Sequence, residues 1–420
     1  MSLILPVTPS QNRTPFLGLA PFLRRSIAGE DLRPACQDLL ARAQADENDP
    51  ELWMNLATVL FCLQQRDLGL AAQSQALAMS RVYVREASQP ARLRLLVLVA
   101  PGDLAANTPL DCLLEDSDVT LIFYYLTPGN PLAVPVPDHD AVLVGVTEAD
   151  EYRSLLTALE LLLARWPRPV LNGPAAILRT GREAASSLFQ DIPGLLAPRV
   201  SRVPRRLLTA VAQGQLPPGA LSTVVGAGNE PFPCILRPVG SHAGHGLDCL
   251  PGPEALAGYL AANPEVTSFF HAPFVDYRGP DGLYRKYRVV LVEGEPYPGH
   301  LGVSDHWMIH YVNAGMYEDG AKREEERAFM EGFDAFAARH GAALKEIARR
   351  VGLDYLCLDC GETADGRLLA FEVGNAMVVH AMDPVDTFPY KQAPMARVKD
   401  AFRALLARRT GADPVTEAAP

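Results

Sequence analysis

Three stretches of this chain carry residue types that together suit the handling of a polyphosphate and a divalent cation. In the first, the apolar run Cys234-Ile235-Leu236 ends in Arg237. Pro238-Val239 then leads into Gly240-Ser241-His242-Ala243-Gly244-His245-Gly246. Glycines let backbone N–H groups approach an anion without a Cβ in the way. An arginine fixed at the end of a strand presents a fork that matches phosphate oxygens. No Gly-Lys-Ser/Thr follows, so this is not a P-loop; a tight turn is the other reading of such a loop.

The second stretch is a hairpin, residues 354–373, turning at Asp365-Gly366. If those two residues fill a two-residue turn, Ala364 pairs with Arg367, and counting outward sets Asp359 opposite Glu372. Two carboxylates facing each other across a ladder repel. They need a compensating cation, and hard oxygen ligands suit Mg²⁺, with Asn375 just beyond to add an amide oxygen. A bulge at Gly361 or Thr363 would instead turn the two carboxylates away from each other. The third stretch is Arg285-Lys286-Tyr287-Arg288. Strand alternation puts Lys286 and Arg288 on one face and Arg285 and Tyr287 on the other. The apolar continuation to Val292 implies burial, and a buried arginine must hold an anion or an ordinary ion-pair partner.

These residues need elements to position them. Residues 31–83 read as helical throughout, with Trp53, Leu56, Ala57, Leu60 and Ala76 spaced as in one tetratricopeptide repeat of about 34 residues and Gln73 where an aromatic is usual. One such hairpin serves as a partner-binding module or as a cap packed on the body of the protein. After Pro90 the apolar runs 93–99, 119–125 and 141–146 alternate with helical stretches such as 149–165, which predicts a small open sheet covered on both faces. Gly-x-Gly-x-x-Gly is absent there, so no dinucleotide site is indicated. From residue 233 onward the pattern is strand, glycine loop, a helix over 253–263, and strands over 268–275, 285–292 and 297–303. A long helical stretch follows whose Phe329, Phe333, Phe336, Leu344, Ile347 and Val351 share one buried face, with Gly341 as the expected break.

In this order the stretches resemble the ATP-grasp fold, nearest to the glutathione-synthetase and ribosomal-S6-modifying ligases. Residues 232–250 are similar to that family's small-domain strand and glycine loop, and residues 351–377 to its metal-binding end. Ala272-Pro273-Phe274-Val275-Asp276 resembles the hinge that holds adenine by backbone groups and ribose by an acid. Residues 93–192 are similar to the preceding α/β domain. The resemblance implies an α/β (α+β) chain with a helical segment over 1–88, a pre-ATP-grasp domain over 89–195, an ATP-grasp domain over 196–411 (lid 231–270, metal-binding end 271–411) and a tail over 412–420. It implies ATP and Mg²⁺ as cofactors. Arg237, Ser241, His242, Gly244, Gly246, Pro273, Phe274, Val275 and Asp276 would hold nucleotide, and Asp359, Glu372 and Asn375 the metal. Arg288 would stabilise developing oxyanions, and His300 would contact substrate or move a proton. Two departures stand out: Arg237 where lysine is commonest, and one residue more than usual between Glu372 and Asn375.

What the resemblance implies is an ATP-dependent carboxylate–amine or carboxylate–thiol ligase. Its substrates would be a small-molecule or peptide carboxylate and an amine or thiol acceptor. A non-catalytic ATP-sensing adaptor with a helical partner-binding module is the alternative, and a phosphotransferase a third reading. The net charge of −11 argues against a nucleic-acid partner. No apolar run reaches membrane-span length, and the first residues lack the pattern of a signal peptide, so a cytoplasmic chain is expected, with a homodimer as the commonest assembly. Seven scattered cysteines fit a reducing compartment, and the Cys357-x-x-Cys360 pair, inside an apolar run without a second pair, reads as core sooner than as a zinc or redox site. His242 and His245 are unusual occupants of a phosphate loop; they and the pair His306/His310 raise zinc as a reading, with hydrogen bonds to phosphate or substrate preferred to it. The arginines from Arg199 to Arg206 raise either an acidic ligand or a solvated surface.

Overall fold

A computed structural model describes residues 14–225, 230–241 and 244–412 and shows the expected mixed α/β architecture, with three sheets among these residues. The first sheet has the order β1-β3-β2-β4-β5, from Val82–Arg85 (β1), Leu93–Val99 (β2), Val119–Tyr125 (β3), Ala141–Val144 (β4) and Val170–Leu171 (β5). The four strands β2 to β5 run parallel and β1 closes one edge antiparallel. Every residue of β4 and all of β2 except Arg94 are buried, which is why these runs read as continuously apolar.

Leu195–Leu196 (β6) lies elsewhere, parallel to the edge of the third sheet. The second sheet is antiparallel, in the order β7-β10-β8-β9: Ser201–Pro204 (β7), Cys234–Pro238 (β8), Asp248–Leu250 (β9) and Ser268–Pro273 (β10). It has a small core of its own around Val203, Leu236, Leu256 and Phe269. The third sheet carries the order β12-β11-β13-β14-β6, built from Tyr284–Val292 (β11), Glu295–Ser304 (β12), Tyr355–Glu362 (β13) and Leu368–Gly374 (β14). The helix Phe333–Val351 and the C-terminal helix Gln392–Thr410 feed apolar side chains into the large core that this sheet shares with the first. Asn172, buried after β5, joins those two sheets by exchanging side-chain hydrogen bonds with the backbone N–H and C=O of Tyr355 (3.0 and 2.8 Å).

Three expectations are corrected. The helical reading of residues 31–83 ends too late: the last helix there stops at Met79, and Val82-Tyr83-Val84 becomes the edge strand β1, as β-branched and aromatic residues favour. The break in the long helical stretch falls at Gly332, not Gly341. A Cβ at Gly332 would stand 2.7 Å from the Ala328 carbonyl, whereas Gly341 lies inside a 19-residue helix with open space where its Cβ would be. The third concerns the hairpin turn. The Thr363 N–H donates to the Arg367 carbonyl (2.9 Å), leaving a three-residue loop, Ala364-Asp365-Gly366, instead of two.

The N-terminal helices Pro50–Cys62 and Arg66–Met79 form an antiparallel pair, started by Asp49, whose carboxylate accepts from the Glu51 and Leu52 N–H groups. Met54, Ala76 and Leu77 belong to the large core. Gln73 is buried, and its amide trades two hydrogen bonds with Gly102 after β2, at 2.9 and 2.8 Å. The polar residue at this position thus docks the helix pair onto the first sheet. No helix among the described residues is long and apolar enough to cross a membrane.

Candidate active site

His300, Arg288, Asp359 and Glu372 lie side by side in one row across β12, β11, β13 and β14. The expected pairing of Asp359 with Glu372 is present, by a route other than the one counted from the turn. The three-residue loop shifts the ladder by one, so that Glu362 pairs with Leu368 and Cys360 with Ala370. A bulge at Phe371 then restores the register, and Asp359 meets Glu372. A second bulge, at Gly299, interrupts β12 beside Arg288. Bulges re-aim side chains, and both of these flank the row of charged residues.

Alternation along β11 works as expected: Lys286 and Arg288 share a face and both reach Asp359. The Lys286 ammonium is 2.9 Å from Oδ2, and the Arg288 fork is 2.8 Å from Oδ1 and 3.0 Å from Oδ2. The remaining Arg288 nitrogen, Nη1, donates to the Val378 carbonyl at 3.0 Å. On the opposite face Arg285 pairs with Asp281 and Glu325, and Tyr287 packs on Phe329 and Phe336. Burial alone would raise the pKa of Asp359, but Arg288 and Lys286 outweigh it and hold the carboxyl well below the usual carboxylate range. Glu372 shifts in the same direction although its side chain is 44% exposed to the open cavity: partial loss of hydration opposes ionisation, and Arg182 and Arg237 overcome it, Arg182 by an ion pair of 2.6 Å. For His300, burial and then the Arg288 charge push the imidazole pKa far down, so it is neutral; its ring packs on Tyr311 with centroids 4.8 Å apart.

Lys286, Arg288, Asp359 and Glu372 face a cavity of about 370 Å³ between the second and third sheets. Arg237 projects into it from the end of β8. It is 8% exposed, and among the described residues it has no carboxylate partner: its Nε donates to Ser241 Oγ (3.1 Å) and Nη2 to the Ser241 carbonyl (2.7 Å). Burial, with Arg182 nearby, lowers its pKa to about 10, which leaves it charged at neutral pH. Arg182, Arg237, Lys286 and Arg288 all line the cavity against the carboxylates of Asp359 and Glu372, an excess of two positive charges. The rest of the lining is largely apolar and includes Phe189, Val200, Ile235, Phe270 and Leu369. The cavity therefore combines apolar surface with a surplus of cations.

The remaining expected residues divide. Gly244, Pro273, Phe274 and Val275 line the cavity, and Ser241 adjoins it through Arg237. Gly246 sits at the turn below, its carbonyl accepting from Tyr259 (2.7 Å). Asp276 is exposed, paired with Arg278 at 3.3 Å, and is not in the lining. His300 and Asn375 are not in the lining either. The Asn375 amide nitrogen donates to Thr108 (3.1 Å) and the Val146 carbonyl (3.1 Å), while its buried oxygen has no partner. His242 lies outside the described residues. Cys357 and Cys360 are fully buried thiols in β13, as the core reading had it. The segment holding His306 and His310 is not helical, which removes the i,i+4 geometry for zinc. Of the arginine cluster, Arg202 is paired with Asp150 and Glu183, and Arg205 donates to carbonyls at the end of the helix Leu256–Ala262.

Among the described residues no group of three or more His, Cys, Asp or Glu side chains is placed to hold a metal ion. Mg²⁺, however, is commonly held by one or two carboxylates together with phosphate oxygens and water. Asp359 and Glu372, adjacent in one row beside the cations of the cavity, fit a nucleotide-bridged Mg²⁺ in this sense and do not fit a closed protein cage. Sequence reasoning missed Arg182, which reaches Glu372 from 190 positions away. No local pattern marks Arg182, whereas His310 is singled out by its spacing from His306, as a zinc ligand or a hydrogen-bond partner of phosphate or substrate.

No family model and no curated protein matches this sequence. Solved structures do resemble it in outline. A RimK domain ATP-grasp protein from Sphaerobacter thermophilus has 17% identity, with 74% of this chain and 99% of that chain covered at a TM-score of 0.42. VanG D-Ala:D-Ser ligase from Enterococcus faecalis has 12% identity, 75% and 99% coverage and a TM-score of 0.45. The ATP-grasp ligase PsnB, solved with a precursor peptide and AMPPNP, has 16% identity, 77% and 100% coverage and a TM-score of 0.39. At these values residue roles rest on the geometry of this chain alone.

Proposed function

We propose that this chain is an ATP-grasp ligase that joins a carboxylate to an amine or thiol with conversion of ATP to ADP and phosphate. The observation that carries the reading is Arg237: a buried guanidinium with no carboxylate in direct contact, in a cavity with surplus positive charge and beneath a glycine loop. An unpaired buried charge is costly, and a bound anion is the ordinary compensation. The apolar lining of the cavity, which includes Pro273, Phe274 and Val275, suits a purine.

In this reading the polyphosphate lies over Arg237, Lys286 and the loop from Ser241 to Gly246, the part of the loop at His242 being inferred from sequence. Asp359 and Glu372 would hold Mg²⁺, which would neutralise phosphate charge and orient the terminal phosphoryl group. Asn375 takes no part, since its side chain is outside the cavity lining. The substrate carboxylate attacks the γ-phosphorus, ADP departs, and the amine or thiol then displaces phosphate from the acyl phosphate. Arg288, anchored on Asp359, faces the space where the oxyanions of both steps develop, and its charge favours them over the ground state. His300, neutral and packed on Tyr311, stands beside Arg288 but outside the cavity lining, so in this reading it supports Arg288 and does not itself touch substrate.

The test is to incubate the protein with Mg·ATP, hydroxylamine and a panel of amino acids and short peptides, following ADP and hydroxamate together. A ligase yields both in equal amounts with some member of the panel, because hydroxylamine traps the acyl phosphate. ATP binding without ADP under every condition would favour the sensing adaptor, whereas a stable phosphorylated product without hydroxamate would favour a phosphotransferase.

A further inference from the structure

His310 lies in the segment between β12 and the helix Gly320–Glu331 and lines the cavity. Its Nε2 is buried and has no hydrogen-bond partner. Such an atom is costly to leave unmade, and in a ligand cavity it marks a contact the ligand completes. Gly244 of the glycine loop is set against this ring. Gly244 adopts φ +75°, and a Cβ there would stand 2.5 Å from His310 Nε2 and 3.4 Å from the Met308 sulfur. Glycine at 244 therefore leaves room for the imidazole directly under the loop. The charged groups acting on the ring come from four strands: Lys286 on β11, Arg237 on β8, Asp359 on β13 and Glu372 on β14. Burial and the two cations lower its pKa, so the ring is neutral and Nε2 can carry a proton for donation while Nδ1 does not.

We propose that His310 is the residue by which this site tells a nucleoside triphosphate from a diphosphate, its Nε2–H donating to the terminal phosphate beneath Gly244. The inference rests on the nucleotide reading given above. Arg237, at the end of β8, contacts the phosphates that both nucleotides share. His310 and the loop above it meet the extra one.

The experiment is calorimetric titration of Mg·ATP and Mg·ADP, separately, into the full chain and into His310→Ala, His310→Gln and Gly244→Ala. The expected result for His310→Ala is an ATP affinity about 10- to 100-fold lower, the worth of one hydrogen bond to a charged group, with ADP affinity unchanged. His310→Gln, which keeps a donor, recovers part of the loss. Gly244→Ala, which drives a methyl into the ring, lowers ATP affinity more than ADP affinity. An equal loss for both nucleotides, or no loss for either, overturns the role of His310 while leaving the nucleotide site standing. If the unaltered chain binds neither nucleotide, the nucleotide reading falls and the inference with it.

Discussion

Asp359 and Glu372 face each other across β13 and β14, yet each carboxylate is satisfied by cations from other elements: Asp359 by Lys286 and Arg288, Glu372 by Arg182. The compensation that two facing carboxylates require is met here by side chains. That makes the pair a store of negative charge whose partners can be rearranged when a polyanion and a cation enter together. The first prediction follows from this exchange. In Glu372→Gln one negative charge is gone from the cavity, so ATP without metal binds a few-fold more tightly, because repulsion at short range is relieved. Mg·ATP binds about tenfold more weakly, because a hard oxygen ligand is lost. Titrations in EDTA and in excess Mg²⁺ measure both. A change of the same sign and size in the two conditions would remove Glu372 from the metal site.

Arg237 poses the opposite case, a buried cation with no carboxylate in direct contact, only the longer-range charge of Glu372. Replacing a buried charge that lacks a contact partner by an apolar side chain of similar length costs the fold little and can stabilise it. Arg237→Met is therefore expected to keep the stability of the ligand-free protein within about 1 kcal/mol or raise it, by urea denaturation. Its Mg·ATP affinity should fall about 10- to 100-fold, as for loss of a hydrogen bond to a charged group. A large loss of stability with unchanged affinity would make Arg237 a structural residue of the second sheet.

The sequence made the parallel sheet, the basic strand and the carboxylate pair legible because each depends on local periodicity: continuous burial for β2 to β4, alternation for Lys286 and Arg288, and register for Asp359 and Glu372. The last case is instructive. The turn was misjudged by one residue, and the bulge at Phe371 cancelled the error, so the right pair emerged from an incomplete count. Nothing local distinguishes Phe371 as a bulge. Arg182 was invisible for a related reason: it meets Glu372 only through the packing of the helix Arg182–Leu188 against the third sheet. Gln73, the departure from the repeat pattern, was visible as an oddity, but its partner, the backbone of Gly102, belongs to another layer.

The helical break offers a test at two glycines nine positions apart. Gly341 lies in a helix interior where a Cβ meets nothing within 4 Å. Gly341→Ala should stabilise the protein by about 0.5–1 kcal/mol, through helix propensity and a less flexible unfolded chain. Gly332→Ala should destabilise it, since its Cβ would crowd the Ala328 carbonyl at 2.7 Å. Chemical denaturation of the two variants checks both signs, and stabilisation by both would place the break elsewhere.

The helix pair at the N-terminus bears on whether the chain is a self-contained enzyme or an adaptor. A module that serves a partner keeps its binding face free, and its loosening leaves the rest of the fold untouched. Here Met54, Ala76 and Leu77 enter the main core, and Gln73 satisfies both backbone groups of Gly102. In Gln73→Leu those part-buried groups lose their partners, each at about 1–3 kcal/mol at most, while the apolar volume is kept. The expected outcome is a loss of about 2 kcal/mol or more in global stability, with faster hydrogen exchange in residues 50–79 and in the loop after β2 together. Coupled loss in both places means that the helix pair and the first sheet unfold as one unit. Faster exchange confined to the helices, at unchanged global stability, would mean that they form an independent layer and would revive the partner-binding reading.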